Sequence, residues 1–252
     1  MRKIIYLLLI CPLLAVSQSF TIEYDVALNV LNRKGVLTIN DTISSFYFEV
    51  QNKRISDEQK MDEEGTYNQT VYLGSNKERK RFQIYKKEID TLLNVDYLKD
   101  EQIICSELFP KMIWKLEDET KTISNYLCNK ASTNFRGRNY IAWFTSDLPV
   151  NVGPWKFNSL PGAILQVYDD SQTYSWTANK IIRNKQDIAL TIENTLKKIT
   201  LQQFVQQDEN LKKEKSNRMM LKYVERGAEV VERQYNRGRE TKFEWEEETE
   251  ED

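Results

Sequence analysis

Three sets of side chains in this sequence have the right types for chemistry. Asp147, Asp169 and Asp170 are carboxylates close in sequence, the raw material of a glycosidase-type pair or a hard-metal site. Arg136 and Arg138 flank Gly137, and guanidinium forks at that spacing suit an anionic group. Cys105 and Cys128 are the thiols that remain once the first seventeen residues are set aside. Each set also has a plainer account. Asp169-Asp-Ser171 is ordinary turn chemistry. Paired arginines most often make modest structural ion pairs. Neither calcium-loop spacing nor a second acidic cluster accompanies the aspartates. Ser159 has no partner in a nucleophile pattern.

The chain contains no histidine. That removes the commonest general base, the Ser-His-Asp and Cys-His pairs, and most zinc and copper sites. The expectation is therefore no catalytic residue, no metal and no cofactor. With 36 basic and 38 acidic residues the full chain carries a formal charge of -2, which is no nucleic-acid footprint.

The elements that must position these residues begin after an export leader. Arg2 and Lys3 precede the apolar run Ile4 to Val16, and Ala15-Val-Ser17 is a cleavage site, so residues 1–17 read as a signal peptide. The run is too short to span a bilayer, and no later segment is apolar enough to do so. The mature chain is expected in the periplasm or at the outer membrane or cell surface. In an oxidising compartment two thiols predict a Cys105–Cys128 disulfide, with two buried free thiols as the alternative.

From 18 to 199 short alternating runs are separated by turn signals, with no βαβ rhythm. Ser19–Leu28 is the clearest: Phe20, Ile22, Tyr24 and Val26 share one face. Asn32-Arg-Lys-Gly35 reads as a turn, and Arg54 to Glu64 as a solvent loop. Further runs are Lys111 to Leu116, Lys121 to Cys128 after an acidic turn at 117–119, Asn139 to Phe144, Ala163 to Tyr168 and Thr173 to Lys180. Residues 200–238 are rich in helix formers, and Thr200-Leu-Gln-Gln203 resembles a capping box. Residues 239–252 form an acidic tail expected to be disordered. The fold class is mainly β with C-terminal α: a curved, half-open antiparallel sheet or barrel packed with a helical segment.

At the centre lies Gly153-Pro-Trp-Lys-Phe-Asn-Ser-Leu-Pro-Gly-Ala163. Gly153, Pro154, Pro161 and Gly162 read as the structural punctuation of a rigid double turn. Arg138, Trp143, Trp155, Leu160 and Pro161 are the candidate ligand- or partner-binding residues beside it.

Trp114, Ile123 to Ala131, Arg136 to Thr145, Leu148-Pro149, Gly153 to Phe157 and Ser159 to Leu165 occur in an order and spacing that resembles the GLPGLI family of exported Bacteroidetes proteins. Ser159 stands where that family has its first glycine, which suggests that no positive φ is needed there. Ala163 stands where it has its second leucine. The resemblance implies an exported envelope protein associated with outer-membrane receptor systems. The leading expectation is thus a non-enzymatic protein that binds an apolar ligand or an envelope protein partner. The alternatives are an accessory structural subunit of an outer-membrane receptor system, and a hydrolase of envelope glycans that uses carboxylates alone.

Overall fold

The computed structural model describes residues 19–48, 59–61, 67–69, 81–184, 192, 195–224 and 237–246. The expected loop at Arg54 to Glu64 falls largely outside them, as does the end of the helical segment after 224.

Fourteen strands are present among the described residues. They are β1 (Ser19–Leu28), β2 (Leu31–Ile39), β3 (Ile43–Phe48), β4 (Gln59–Met61), β5 (Tyr67–Gln69), β6 (Phe82–Lys86), β7 (Thr91–Leu98), β8 (Glu101–Leu108), β9 (Lys115–Ile123), β10 (Tyr126–Phe135), β11 (Arg138–Thr145), β12 (Ala163–Asp169), β13 (Tyr174–Asn184) and β14 (Lys197–Thr200). Twelve of them make one sheet in the order β14-β8-β7-β6-β3-β2-β1-β13-β12-β11-β10-β9. The sheet does not close, since β14 and β9 are its two edges. Every pairing in it is antiparallel except β14 on β8. The chain is mainly β, as its alternating pattern predicts, with one helix, α1 (Leu201–Val224), following β14.

Phe20, Ile22, Tyr24 and Val26 of β1 are buried on one face, against Trp176 and Ala178 of β13 and Leu37 and Ile39 of β2. At about 25 cal/mol per Å² of apolar surface, burying such side chains is the main force that holds the sheet curved over its contents. Helix α1 starts with the expected box: Gln203 N donates to Thr200 Oγ1 at 3.2 Å, and Thr200 N donates to Gln203 Oε1 at 3.0 Å. Leu201, Phe204 and Val205 dock beside Cys105 of β8.

Several local expectations are corrected. Gly35 lies inside β2, not in a turn. A Cβ there would stand 2.7 Å from Phe46 Cζ, so glycine is present to let an aromatic ring cross the strand. The turn falls earlier, at Asn29, whose φ is 57°. The acidic run Glu117 to Glu119 is likewise strand, within β9. An edge strand carrying charge discourages pairing with other chains. Its hairpin turn is at Ser124-Asn125, with φ of 49° and 68°. Lys111 to Trp114 is irregular rather than a strand. The segment expected as disordered tail is part of the fold from 239 to 246, where Phe243 is buried and stacks on Trp245.

Cys105 and Cys128 are both free and buried, on β8 and β10, and belong to different apolar clusters. The expected disulfide is not formed. Burial pushes the Cys105 thiol up to about 12, and the Cys128 thiol is also raised by burial.

Candidate functional site

The connection from β11 to β12 does not run over the surface. Residues 151–159 fold into a narrow finger inside the curve of the sheet. Val152 bridges Asn158, Gly153 N donates to Phe157 O at 2.7 Å, and Ser159 N donates to Asn151 O at 3.0 Å. Trp155 is at its tip with φ of 54°, a strained conformation for a bulky side chain. The strain is offset by packing. Trp155 stacks on Trp176 with centroids 5.9 Å apart, and Phe157 meets Tyr140 and Trp176 edge-on at 4.9 and 5.2 Å. Trp114 Nε1 donates to Asn158 O at 2.7 Å, and Asn158 Nδ2 to Pro110 O at 2.7 Å, tying the finger's base to the strand margin.

The finger also carries a lysine inward. The Lys156 side chain is 3% exposed, and its Nζ lies 2.6 Å from Glu107 Oε1 and 2.7 Å from Glu240 Oε1. Arg136 joins the same two carboxylates: Nη2 lies 2.9 Å from Glu107 Oε2, and Nη1 pairs with Glu240. Its Nε reaches Glu244 at 2.9 Å. Two cations and two carboxylates thus alternate in a box, built by β8, the turn between β10 and β11, the finger and the strap 237–246. Burial alone would raise the Glu240 carboxyl, but Lys156 and Arg136 outweigh it and hold the group below the usual glutamate range. Burial also opposes the Arg136 charge, and Glu240 and Glu107 outweigh it, so that guanidinium is held charged more firmly than usual.

Arg138 pins the strap. Its Nε donates to Gly238 O at 2.8 Å, and its Nη1 to Asp169 Oδ2 at 3.1 Å. Asp169 in turn accepts from Tyr174 N at 2.7 Å and Ser171 Oγ at 2.5 Å.

Beside the box is a cavity of about 120 Å³, partly open to solvent. Phe46 and Phe48 of β3, Gln83 of β6, Asp96 of β7, Trp155 and Lys156 of the finger, Phe204 of α1 and Arg239 and Glu240 of the strap line it. The Arg239 guanidinium lies 5.0 Å from the Trp155 ring. Burial lowers its pKa from the ordinary arginine value.

Of the residues singled out in sequence, Trp155 and Cys105 line this cavity. Trp143 pairs across to Gln166, whereas its neighbour Ala142 lies in line with Val167 and Trp176, so Trp143 is on the opposite face and no ring contact joins it to Trp155. Leu160 is core and Pro161 is exposed. Arg138 is occupied by the strap. Gly153, Pro154 and Gly162 shape the finger and its exit. The aspartates do not converge: Asp169 is buried in its own hydrogen bonds, Asp170 accepts from Asn139 at 3.3 Å, and Asp147 is exposed. Ser159 has φ of 70°, so this position does take the left-handed conformation that the serine was read as excluding. The residues missed were Lys156, Glu107, Arg239 and Glu240. A lysine between Trp155 and Phe157 was the one available signal, since charge set among core aromatics needs partners.

The arrangement defines a curved β-sheet protein with a plugged concave face and a charged, aromatic-edged cavity. The chain belongs to the family described as the N-glycanase peptide, N-terminal domain, whose model matches residues 40–208. Two solved structures of PNGF-II share the fold. The form in space group P21 gives a TM-score of 0.54 at 15% identity, covering 75% of this chain and 33% of that one. The C2 form gives 0.52 at 14% identity, covering 76% and 32%. This chain therefore spans about a third of the length of those chains. No curated protein matches the sequence.

These findings correct the sequence reading. The family match replaces the GLPGLI assignment, and with it the expectation of a non-enzymatic binder of an apolar ligand or envelope partner. The motif behind that assignment is explained by the finger. Its paired turns shape the finger, and its aromatics Trp155 and Phe157 pack on Trp176 of the sheet. The glycan-hydrolase alternative is the one the match favours, although not through Asp147, Asp169 and Asp170. The match accords with an exported chain, and no described helix is long and apolar enough to cross a membrane.

Proposed function

We propose that this exported chain serves the enzymatic removal of N-linked glycans, and that the cavity beside Trp155 receives the glycan-bearing substrate. The single observation that carries this is the composition of the cavity in a chain of the N-glycanase family. Phe48 and Phe204 offer partly exposed ring surface for sugar C–H faces. Asp96 and Glu240 accept hydrogen bonds from hydroxyls, and Arg239 donates them.

The chemistry assigns Glu240 a definite role. Held below its usual range, it remains ionised, so it accepts hydrogen bonds or orients a water. It is unsuited to donate a proton, which a general acid with a raised pKa would do. Lys156 and Arg136 keep it in that state. The sheet, helix α1 and strap act as one unit in this reading, because each contributes to the cavity wall. The setting is the periplasm or the outer face of the envelope.

The test is a fluorescent N-glycosylated peptide and its unglycosylated counterpart. Binding is read by anisotropy and glycan release by mass spectrometry. The glycosylated peptide is expected to bind at least tenfold more tightly, with Glu240→Gln weakening it. Equal affinity for the two peptides, with no release, overturns the proposal.

A further inference from the structure

Helix α1 is docked at one end only. Leu201, Phe204 and Val205 pack in its first turns, and all seven residues from Lys212 to Arg218 are exposed. Soluble surfaces usually intersperse the two signs of charge. This stretch does not: Lys212, Lys213, Lys215 and Arg218 stand with Glu214 as their one carboxylate, in a chain whose formal charge is -2. Lys212 pairs with Asp208 one turn back, whereas Lys213, Lys215 and Arg218 make no ion pair among the described residues. Residues three apart on a helix are neighbours, with Cβ atoms about 5–6 Å apart. Glu209, Lys212, Lys215 and Arg218 therefore form one continuous row along α1. The strap meets the head of that row. Arg237 Nε lies 2.7 Å from Glu209 Oε1, and its Nη1 lies 2.5 Å from Glu246 Oε1. One guanidinium thus fastens the end of the strap to α1, one turn before the cations begin. Trp245 packs on the cluster of Cys105, Leu201 and Phe243 and fixes the same approach.

We propose that the acidic segment 247–252 docks on this row of its own chain. Five of its six residues are Glu or Asp. In an extended chain alternate side chains share a face, about 6–7 Å apart at about 3.3 Å per residue. The residues that alternate with Glu246 are Glu248, Glu250 and Asp252, all carboxylates, and the one neutral residue, Thr249, falls on the other face. Their spacing differs from that of the row by about 1–2 Å, which long side chains absorb. With Glu246 held at Glu209 through Arg237, Glu248 falls to Lys212, Glu250 to Lys215 and Asp252 to Arg218. Lys212 serves Asp208 and Glu248 together, since an ammonium has three donors. Six extended residues reach about 20 Å, and the row rises only about 13.5 Å from Glu209 to Arg218. The clasp joins two walls of the cavity, because Phe204 belongs to α1 and Arg239 and Glu240 to the strap. Each pair is exposed and individually weak, so salt loosens the clasp. None of this requires a glycan at the cavity.

The experiment is carbodiimide cross-linking of the dilute full chain, read by mass spectrometry of its peptides. The reagent joins a carboxylate to an amine in direct contact, so Glu248–Lys212 and Glu250–Lys215 links are expected within one chain. Their yield is expected to fall about fivefold or more between about 20 mM and about 0.5 M sodium chloride, as the Debye length shrinks. Lys215→Glu is expected to abolish the Glu250 link, and the double variant Lys215→Glu with Glu250→Lys to restore a link between the same two positions. Should a variant fold poorly, the wild-type links and their salt response decide alone. Absence of the two links, or links spread as often over lysines of the sheet, overturns the inference. Links formed only between chains, identified by mixing unlabelled and isotope-labelled protein, overturn it in favour of a second copy. Phosphatidylglycerol vesicles offer the competing occupant. Tight vesicle binding by the wild type that Glu248→Gln with Glu250→Gln does not strengthen shows a row already open to an outside surface, and overturns the inference.

Discussion

Gly162 offers a sharp test of how the finger is held. A Cβ placed there would lie 2.0 Å from Thr145 O, 2.6 Å from Thr145 C and 2.9 Å from Ser146 N. All three are backbone atoms at the end of β11, and Thr145 is in register with Ala163. They can yield only by breaking the β11–β12 pairing at the point where the finger rejoins the sheet. Overpacking costs about 1–3 kcal/mol where side chains can move aside, and an immovable backbone puts Gly162→Ala at the upper end, about 3 kcal/mol. For a chain of this size each kcal/mol lowers the melting temperature by roughly 2–4 °C, so a fall of about 6–12 °C is expected. Gly153→Ala is the control. Its added Cβ would stand 2.9 Å from Ile164 Cδ1, the far end of a flexible side chain, so it should cost clearly less. Thermal unfolding followed by tryptophan fluorescence measures both. A Gly162→Ala protein melting within a degree or two of wild type would refute the account of the finger as a clamped insertion.

Other outcomes are equally specific. Glu240→Gln removes one carboxylate from the buried box and should destabilise by about 3 kcal/mol, as breaking a buried pair typically does; chemical denaturation reads it. Because the Glu240 pKa is depressed on folding, its contribution is complete above about pH 4.3 and is lost as pH falls through the lowered folded-state value. The wild-type stability advantage over Glu240→Gln should therefore shrink below about pH 4, and a pH-independent difference would contradict the ion-box assignment. Alkylation without reductant should leave Cys105 and Cys128 unmodified in the native protein and modify both after denaturation; a protected pair after denaturation would indicate a disulfide. Thr200→Ala breaks the capping box and should cost about 1 kcal/mol, with a loss of helical signal in circular dichroism.

The sheet was legible because half-buried strands alternate, and β1 follows that rule from Phe20 to Val26. The cap of α1 was legible because it depends on residues three apart. What sequence did not reveal has physical reasons. Gly35 mimics a turn residue but serves a passing ring, and Ser159 takes a glycine's conformation without a glycine's freedom. The site was mostly hidden because its charges lie far apart along the chain. Glu107, Arg136, Lys156 and Glu240 belong to four segments, and local periodicity carries no information about such a meeting. Arg136 and Arg138 look alike in sequence, one residue either side of Gly137. In three dimensions Arg138 ties down the strap and Arg136 sustains the box.

The strap also bears on how the protein comes into being. β1 pairs with β13, so that Ser19 faces Asn184, and the box needs Glu240 from still later in the chain. The pairing of β1 waits for residue 184, and the cavity waits for residue 240. Folding that depends on such distant contacts is slow. For an exported chain that delay is useful, because a polypeptide that has not yet closed its sheet is still in a state to be threaded through a membrane. A cavity that draws on both Phe46 and Glu240 thus forms only once those two distant segments have reached the same compartment.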